Sequence, residues 1–308
     1  MTTDTRISNL WKPNRQRSRL VEGAVKTVLI TFALISVVTT IGIVLTLIYE
    51  TFEFFQEVPL WNFLFQTRWT PLFSSAQFGV GVLISATILT TIIALLVAVP
   101  LGLFSAVCMS EYADPKVRQF LKPILEILAG IPSVVFGYFA LLFVTPLLQQ
   151  FIPELQAFNG LSAGLVLGVA ITPVIASISE DAIYAVPRSL REGSYALGAT
   201  KRETITSVVL PAALSGIVAS IILGASRAIG ETLIVTIAAG QTPNLTFNPL
   251  VPIQTMTAFI VQVSLGDTPA GSLAYKTIYA VGMTLFLITL ALNIFSYWFV
   301  RRYREEYD

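Results

Sequence analysis

An arginine and a glutamate interrupt an otherwise apolar stretch. Their residue types and their spacing make them the leading candidates for a chemical role. Arg227 and Glu231 lie four residues apart within the run 208–239, and Thr232 follows directly. On one continuous helix this spacing would place both charged side chains on the same face. A guanidinium offers a planar fork of donors that fits two oxygens of an oxyanion. Because charge at bilayer depth is costly, the stretch predicts an anion pathway; the alternative is a salt bridge that only orients the helix.

A charged segment between two apolar runs is the second candidate. Residues 188–206 combine helix-forming residues with charged ones, among them Arg191, Glu192, Lys201 and Glu203. Apolar runs long enough to cross a bilayer precede and follow it, so the segment itself is expected outside the membrane. This arrangement predicts a short helix that another protein grips.

The composition indicates an integral membrane protein. Apolar residues make up 55% of the 308 residues and charged residues only 12%, whereas a soluble chain has roughly a quarter charged residues. The chain has no histidine, which argues against the usual zinc sites and against histidine-based catalysis. Its one cysteine, Cys108, cannot form an internal disulfide, and a net charge of +1 gives no case for nucleic-acid binding. We expect neither an enzyme nor a bound cofactor.

Six apolar runs predict an all-α membrane protein with six transmembrane helices. Each run is long enough to cross a hydrocarbon core of about 30 Å, since a helix rises about 1.5 Å per residue. Lys and Arg are concentrated in the N-terminal arm, the 110–123 and 185–206 loops and the tail, so the positive-inside rule places both termini in the cytoplasm. The third run is interrupted by Gly130, Pro132 and Gly137. The predicted runs are 28–49, 78–109, 124–148, 161–183, 208–239 and 275–300.

These runs define the predicted domain organisation. Residues 1–27 form a basic cytoplasmic arm, 28–300 the six-helix membrane domain, and 301–308 a cytoplasmic tail. Residues 50–77 and 241–274 are predicted loops on the outer face. The first is rich in aromatic residues, which suit the headgroup boundary, and the second contains an apolar helix too short to span comfortably.

Small side chains recur at every fourth position of the fifth run. Such a row lets two membrane helices approach closely without a hydrophobic driving force between them. Arg227 lies about 60° around a helix from Gly224, so it is predicted to border this row rather than to face lipid. The row consists of Ala212, Gly216, Ser220, Gly224, Ala228 and Thr232.

Two further polar residues are candidates for the pathway. Ser85 lies in the second run, where its hydroxyl could offer a neutral donor to an anion or bond back to a helix carbonyl. Glu126 begins the third run near the cytoplasm, either as an interfacial charge or as a second partner for Arg227. The residues alone leave both alternatives open.

The charged segment carries an informative spacing. Glu192-Gly193-Ser194 is followed by Gly198 after three residues, by Val208 after nine more, and then by Leu210-Pro211. This pattern resembles the EAA loop of ABC-importer permeases, with Gly193 and Ser194 in place of the two alanines. The resemblance implies a MetI-like bundle whose coupling helix, within 188–206, docks into a groove of a separate ATPase. Because no GxxxxGK[ST] sequence occurs, ATP would be bound by that partner and not by this chain.

A closer resemblance points to the substrate. Residues 125–137 and 227–232 are similar to the phosphate-specific permeases of ABC importers, of the PstC type. The resemblance implies a bacterial inner-membrane protein that forms half of a phosphate channel together with a PstA-type permease. A PstB-type ATPase dimer and an extracytoplasmic PstS-type phosphate-binding protein would complete the importer.

Other functions stay open at this point. The same machine could carry another tetrahedral oxyanion, such as molybdate or sulfate. An ion-coupled secondary transporter would use Arg227 and Glu231 as a proton relay, and an assembly or signalling membrane protein is a further class. The segment 191–206 argues against the last two, because neither needs a coupling helix.

Overall fold

The computed structural model of the chain describes residues 15–73 and 75–303. The predictions made for 1–14 and 304–308, the ends of the basic arm and of the tail, lie outside the described residues. By their contacts the residues fall into two units, Met1–Glu50 and Thr51–Asp308. In the first unit, the described residues form a helix, and nearly all side chains from 21 to 50 are exposed.

The described part of the chain is almost entirely helical. Its one β-bridge joins Trp69 and Phe78. Three π-helical turns, Cys108–Tyr112, Ala140–Val144 and Ile205–Val209, adjoin α-helices. The α-helices are α1 (Arg15–Glu57), α2 (Leu60–Phe65), α3 (Gly81–Val107), α4 (Pro115–Ala129), α5 (Ser133–Phe139), α6 (Thr145–Gln149), α7 (Gly160–Tyr184), α8 (Arg188–Ala196), α9 (Lys201–Thr204), α10 (Leu210–Ala212), α11 (Leu214–Ile229), α12 (Leu233–Ala238), α13 (Met256–Leu265) and α14 (Leu273–Tyr303).

Among the described residues, four helical segments are long and apolar enough to cross a membrane, and they lie in α1, α3 with its π-turn, α7 and α14. Two bent pairs are the other candidates, Lys116–Ala129 with Ser133–Gln149 and Lys201–Ala212 with α11. Counting each bent pair as one span gives six. The prediction of an all-α, multi-pass membrane bundle is therefore confirmed.

The third predicted span is not one straight helix. α4 ends at Ala129, and the chain turns by 83° before a helix resumes at Ser133. Gly130 is a weak helix former and Pro132 has no N–H to donate, so both oppose a continuous helix here. The interruption predicted at Gly130 and Pro132 is therefore present, and α4 lies at a steep angle to the helices that follow.

The row of small residues in the fifth run packs α11 against α7, as predicted. A Cβ at Gly224 would lie 2.8 Å from the Ile175 side chain, so glycine is what permits the close approach. One turn earlier, the hydroxyls of Ser220 and Ser179 lie 2.7 Å apart in a fully buried contact. Thr232 lies beyond the end of α11, so it does not belong to this row.

Apolar clusters hold the helices of the second unit together at its centre and at one end. The central cluster joins α3, α7 and α12 through residues such as Ala94, Leu167 and Ile234. α7 approaches α3 so closely that a Cβ at Gly168 would lie 2.7 Å from the Ala94 carbonyl oxygen. A second cluster, which includes Ile183 and Val209, lies at the end that is predicted to be cytoplasmic.

Several aromatic residues of the predicted outer-face loop are buried rather than placed at a headgroup boundary. Phe54, Phe63 and Trp69 are at most 2% exposed. The rings of Trp69 and Phe259 meet edge to face with centroids 4.9 Å apart, which ties this loop to α13. For exposed aromatics such as Trp61, the interfacial location stays a prediction.

Candidate functional site

The two charged residues of the fifth run do not share a helix. α11 ends at Ile229, Gly230 caps it, and α12 begins at Leu233, so Glu231 lies in the break between two helices. Glycine weakens a helix at this point, and the break creates new N–H groups at the start of α12 that need acceptors. The prediction that Arg227 and Glu231 lie on one face of a continuous helix is therefore wrong, and no ion pair joins them in the described structure.

Glu231 is held in the break by its neighbours. Its Oε1 accepts hydrogen bonds from the backbone N–H groups of Leu233 (3.2 Å) and Ile234 (3.4 Å), and so caps the first turn of α12. Its backbone carbonyl accepts a bond of 2.7 Å from the hydroxyl of Thr257 on α13. Thr232, the residue before α12, donates from its hydroxyl to the Gly230 carbonyl at 3.2 Å. α12 and α13 together therefore fix the position of Glu231.

Arg227 differs from Glu231 because its side chain is exposed. Its guanidinium makes no hydrogen bond or ion pair with any described residue. The neighbouring Gly224 and Ala228 are buried, so α11 directs its small residues inward and leaves Arg227 on an open face. From Leu214 to Arg227 the helix rises about 20 Å. Within an apolar helix, this chain thus presents a cation that no described residue compensates.

The structure does not bring the other two pathway candidates to Arg227. Ser85 is buried, and its hydroxyl donates to the Val82 carbonyl at 2.8 Å, the back-bonding alternative. Glu126 is exposed on α4 and lines a cavity of about 600 Å³ together with Arg118, Lys122 and Arg188, among other residues. It has no ion pair with a described residue, so its role in the pathway stays a prediction.

The predicted coupling helix is α8, and it presents an exposed end. Gly198 adopts φ +86° and donates from its N–H to the Tyr195 carbonyl at 2.9 Å, a left-handed conformation that commonly ends helices. Glu192 and Gly193 are exposed, and the Leu197 side chain is 91% exposed. An apolar residue so open to solvent fits a surface that another protein covers.

Arg191 is the residue that sequence reasoning missed. It donates to Oε1 of Glu111 through Nη2 at 2.7 Å and through Nε at 3.1 Å. It also donates to the Ile183 carbonyl at 2.9 Å and to the Val186 carbonyl. The Arg191 and Glu111 side chains are only 15% and 7% exposed. These bonds fix α8 to the ends of α3 and α7, and the two residues are too far apart in the chain for any local pattern to pair them.

A second ionic cluster ties α4 to α7 next to the coupling helix. Glu180 is fully buried and forms ion pairs with Arg118 and, at 3.1 Å, with Lys122. Lys122 also contacts Asp181 at 3.1 Å, and the Arg118 guanidinium lies 4.1 Å from the centre of the Tyr184 ring. The negative charge of Glu180 is therefore compensated by the two basic residues of α4.

The coupling segment returns to the membrane through a well-capped turn. Thr200 and Glu203 form a reciprocal capping box at the start of α9, and the backbone N–H and hydroxyl of Thr200 hold the pKa of Glu203 below its usual range. The hydroxyls of Ser194 and Thr204 lie 2.9 Å apart, which joins α8 to this turn. Leu210 and Pro211 then begin α10, where a proline is tolerated in the first turn.

Comparison with known proteins identifies the family. A family model described as "Binding-protein-dependent transport system inner membrane component" matches residues 98–305. The probable ABC transporter permease protein YqgH of Bacillus subtilis is 35% identical over 278 residues, which cover 90% of each chain. The phosphate transport system permease protein PstC of Haemophilus influenzae is 32% identical over 298 residues, with 90% of this chain and 92% of the relative covered.

Solved structures share the fold. A bacterial ABC transporter that imports alginate matches with a TM-score of 0.61 and 17% identity over 96% of this chain and 99% of its own. The MetNI methionine ABC transporter matches with a TM-score of 0.53 and 20% identity over 74% of this chain and 95% of its own. The predicted MetI-like bundle is therefore confirmed. The chain belongs to the family of binding-protein-dependent transport system inner membrane components, as a multi-pass permease subunit of an ABC importer that works with an ATPase and a binding protein.

Proposed function

We propose that this chain is the PstC-type permease subunit of an ATP-driven phosphate importer and forms half of its translocation pathway. The observation that carries the proposal is Arg227, an exposed guanidinium within the apolar helix α11 that has no partner in the described structure. The names of curated relatives support phosphate, since PstC proteins of Haemophilus influenzae and Methanocaldococcus jannaschii are 32% and 31% identical to this chain.

The chemistry of Arg227 suits a phosphate oxyanion. Its planar fork can donate two parallel bonds to two oxygens of one anion, and such charge-assisted bonds strengthen where water is excluded. The anion in turn neutralises a cation whose burial would otherwise be costly. An arginine already paired inside its own chain would offer neither advantage.

Glu231 supplies discrimination between oxyanions. Its Oε1 is occupied by the N–H groups of α12, whereas its Oε2 makes no hydrogen bond with a described residue. A protonated phosphate can donate a hydroxyl to this oxygen, but sulfate at neutral pH carries no proton and would be repelled. Thr232 adds a hydroxyl beside the same break. This division of roles replaces the predicted pair in which Glu231 binds Arg227.

The remaining subunits follow from the family and the proposed substrate. A PstA-type permease would supply the other half of the pathway, facing the open side on which Arg227 lies. A PstB-type ATPase dimer would bind the exposed end of α8 around Leu197, and a PstS-type binding protein would deliver phosphate from outside.

The test is phosphate uptake by the complex of this chain with its cognate subunits, reconstituted in vesicles. Arg227→Gln should lower uptake of radiolabelled phosphate roughly a hundredfold while the complex still assembles. Arg227→Lys should lower it less, because it keeps the charge but loses the fork. Arg301→Gln, an exposed arginine at the end of α14, is the matched control. Normal uptake by Arg227→Gln would overturn the proposal, and equal uptake of sulfate or molybdate by the unmodified complex would reassign the substrate.

A further inference from the structure

An apolar groove lies between α3 and the arm that leads from the coupling helix to α11; we name it the coupling-arm groove. Its volume is about 510 Å³. One wall comes from α3 and its π-turn and includes Leu103 and Val107, and the other comes from the arm and includes Ile205 and Leu210. Arg202 and Tyr112 lie at one end. The groove is therefore apolar along its length and polar only at its mouth.

The length and direction of the groove match one leaflet of a bilayer. From Pro100 to Tyr112 the helix rises about 18 Å, close to half of a hydrocarbon core of about 30 Å. Tyr112 and Arg202 belong to the two loops that the positive-inside rule places in the cytoplasm. The groove thus runs from the cytoplasmic surface toward the middle of the membrane.

The mouth of the groove carries positive charge. Arg202 is exposed, and its guanidinium has no hydrogen bond or ion pair with a described residue. The Lys201 ammonium lies 4.5 Å from the centre of the Tyr112 ring, with no carboxylate bound to it in the described structure. Of the carboxylates close to these residues in the sequence, Glu111 pairs with Arg191 and Glu203 bonds to Thr200, whereas Asp114 is exposed.

We propose that the coupling-arm groove binds an anionic phospholipid of the cytoplasmic leaflet. One acyl chain fills the apolar walls, and the lipid phosphate binds the Arg202 guanidinium with Lys201 beside it. Basic residues at the cytoplasmic surface attract anionic lipids, whereas the ammonium of a zwitterionic headgroup would lie against these two cations. The charge at the mouth therefore selects the headgroup, and the apolar walls require a lipid rather than a free anion.

Such a lipid would act on coupling, whichever anion is transported. It fills the space between α3 and the arm that connects α8 with α11, and α8 is itself fixed to the end of α3 by Arg191 and Glu111. With the groove filled, the arm is held against α3 when the ATPase moves α8. With the groove empty, part of that motion would be lost in the arm.

The experiment measures lipid retained by the purified complex, using phosphatidylglycerol and phosphatidylcholine with identical acyl chains. Native mass spectrometry should show phosphatidylglycerol retained several-fold more than phosphatidylcholine, and Arg202→Gln should remove this difference. Arg188→Gln is the matched control, because Arg188 is exposed on the same side but lines the other cavity. It should retain the lipid as the unmodified complex does.

Two outcomes would overturn the proposal. One is equal retention of the two lipids by the unmodified complex, and the other is the same retention by Arg202→Gln as by Arg188→Gln. A second variant tests the apolar walls independently of charge: Val107→Trp should fill the groove and lower phosphatidylglycerol retention several-fold with Arg202 in place. Unchanged retention in a folded Val107→Trp complex would also count against the site.

Discussion

The charged residues of the coupling junction and those of the membrane pathway are arranged in opposite ways. At the junction, Arg191 bonds to Glu111, and Glu180 is neutralised by Arg118 and Lys122. In the proposed pathway, Arg227 is exposed and has no partner among the described residues. A charge that is buried away from water is costly unless it is compensated, which the junction achieves within the chain.

The difference indicates what each region does. A charge compensated inside its own chain fixes geometry, because moving either partner would leave a buried ion unpaired. A charge left uncompensated must be satisfied by something that arrives, such as a substrate or another subunit. This contrast agrees with the proposal that the junction transmits motion as a firmly bonded unit and that Arg227 binds an incoming anion.

The largest expected effect comes from removing the uncompensated charge. Arg227→Gln loses charge-assisted bonds worth about 3 kcal/mol in total, so phosphate uptake should fall roughly a hundredfold. The thermal stability of the complex should change little, because Arg227 has no bond within the described chain to lose. The two measurements are phosphate uptake and the melting temperature of the reconstituted complex. A large loss of stability with normal uptake would show that Arg227 is a structural residue and not a substrate-binding one.

At the junction the opposite pattern is expected. Arg191→Gln leaves Glu111 unpaired in a site where it is only 7% exposed, which should destabilise the complex by about 3 kcal/mol and raise the amount of ATP hydrolysed per phosphate imported. The double variant Arg191→Gln with Glu111→Gln removes both charges and should recover part of the stability. Arg188→Gln, on the same helix but exposed, should have little effect. Additive losses in the double variant would show that the two residues do not act as a pair.

The features that could be predicted from the sequence are those that depend on a short-range repeat or spacing. The six apolar runs, the row of small residues on α11 and the spacing from Glu192 to Pro211 each depend on short-range patterns, and the structure has the corresponding helices. Sequence reasoning also predicted the interruption at Gly130 and Pro132, where α4 ends. It failed at the break after Ile229, because a glycine such as Gly230 in a membrane helix often causes no break.

The pairs that build the junction had no local signal. Arg191 and Glu111 meet only because the end of α3 packs against the start of α8, and Glu180 meets Arg118 only because α4 turns away from its span. The capping of α12 by Glu231 had no such signal either. A carboxylate four residues from an arginine looks like an ion pair until a helix begins two residues after it and needs its N–H groups capped.

A smaller effect is expected at the end of the coupling helix. Gly198 has φ +86°, so Gly198→Ala costs about 1 kcal/mol and should weaken ATPase binding several-fold. Gly193 is also exposed, and a Cβ added there would meet no atom within 4 Å, but it lies inside α8, where alanine favours the helix. Gly193→Ala is therefore the matched control, and co-purification of the ATPase is the measurement. If the two variants bind the ATPase equally well, the left-handed conformation of Gly198 does not contribute to that binding.

The finest test concerns Glu231, whose charge separates two anions of similar shape. Glu231→Gln keeps an oxygen that can cap α12 but replaces a repelling carboxylate with an amide, which can donate to sulfate. Discrimination against sulfate should fall by about 1.4 kcal/mol, roughly tenfold, whereas phosphate uptake should change only a few-fold. The measurement is inhibition of phosphate uptake by increasing sulfate. Thr257→Val is the control, since it removes a hydrogen bond to the Glu231 backbone and leaves the carboxylate in place. If Glu231→Gln still excludes sulfate as strongly as Thr257→Val, Glu231 only caps α12 and the discrimination lies elsewhere in the pathway.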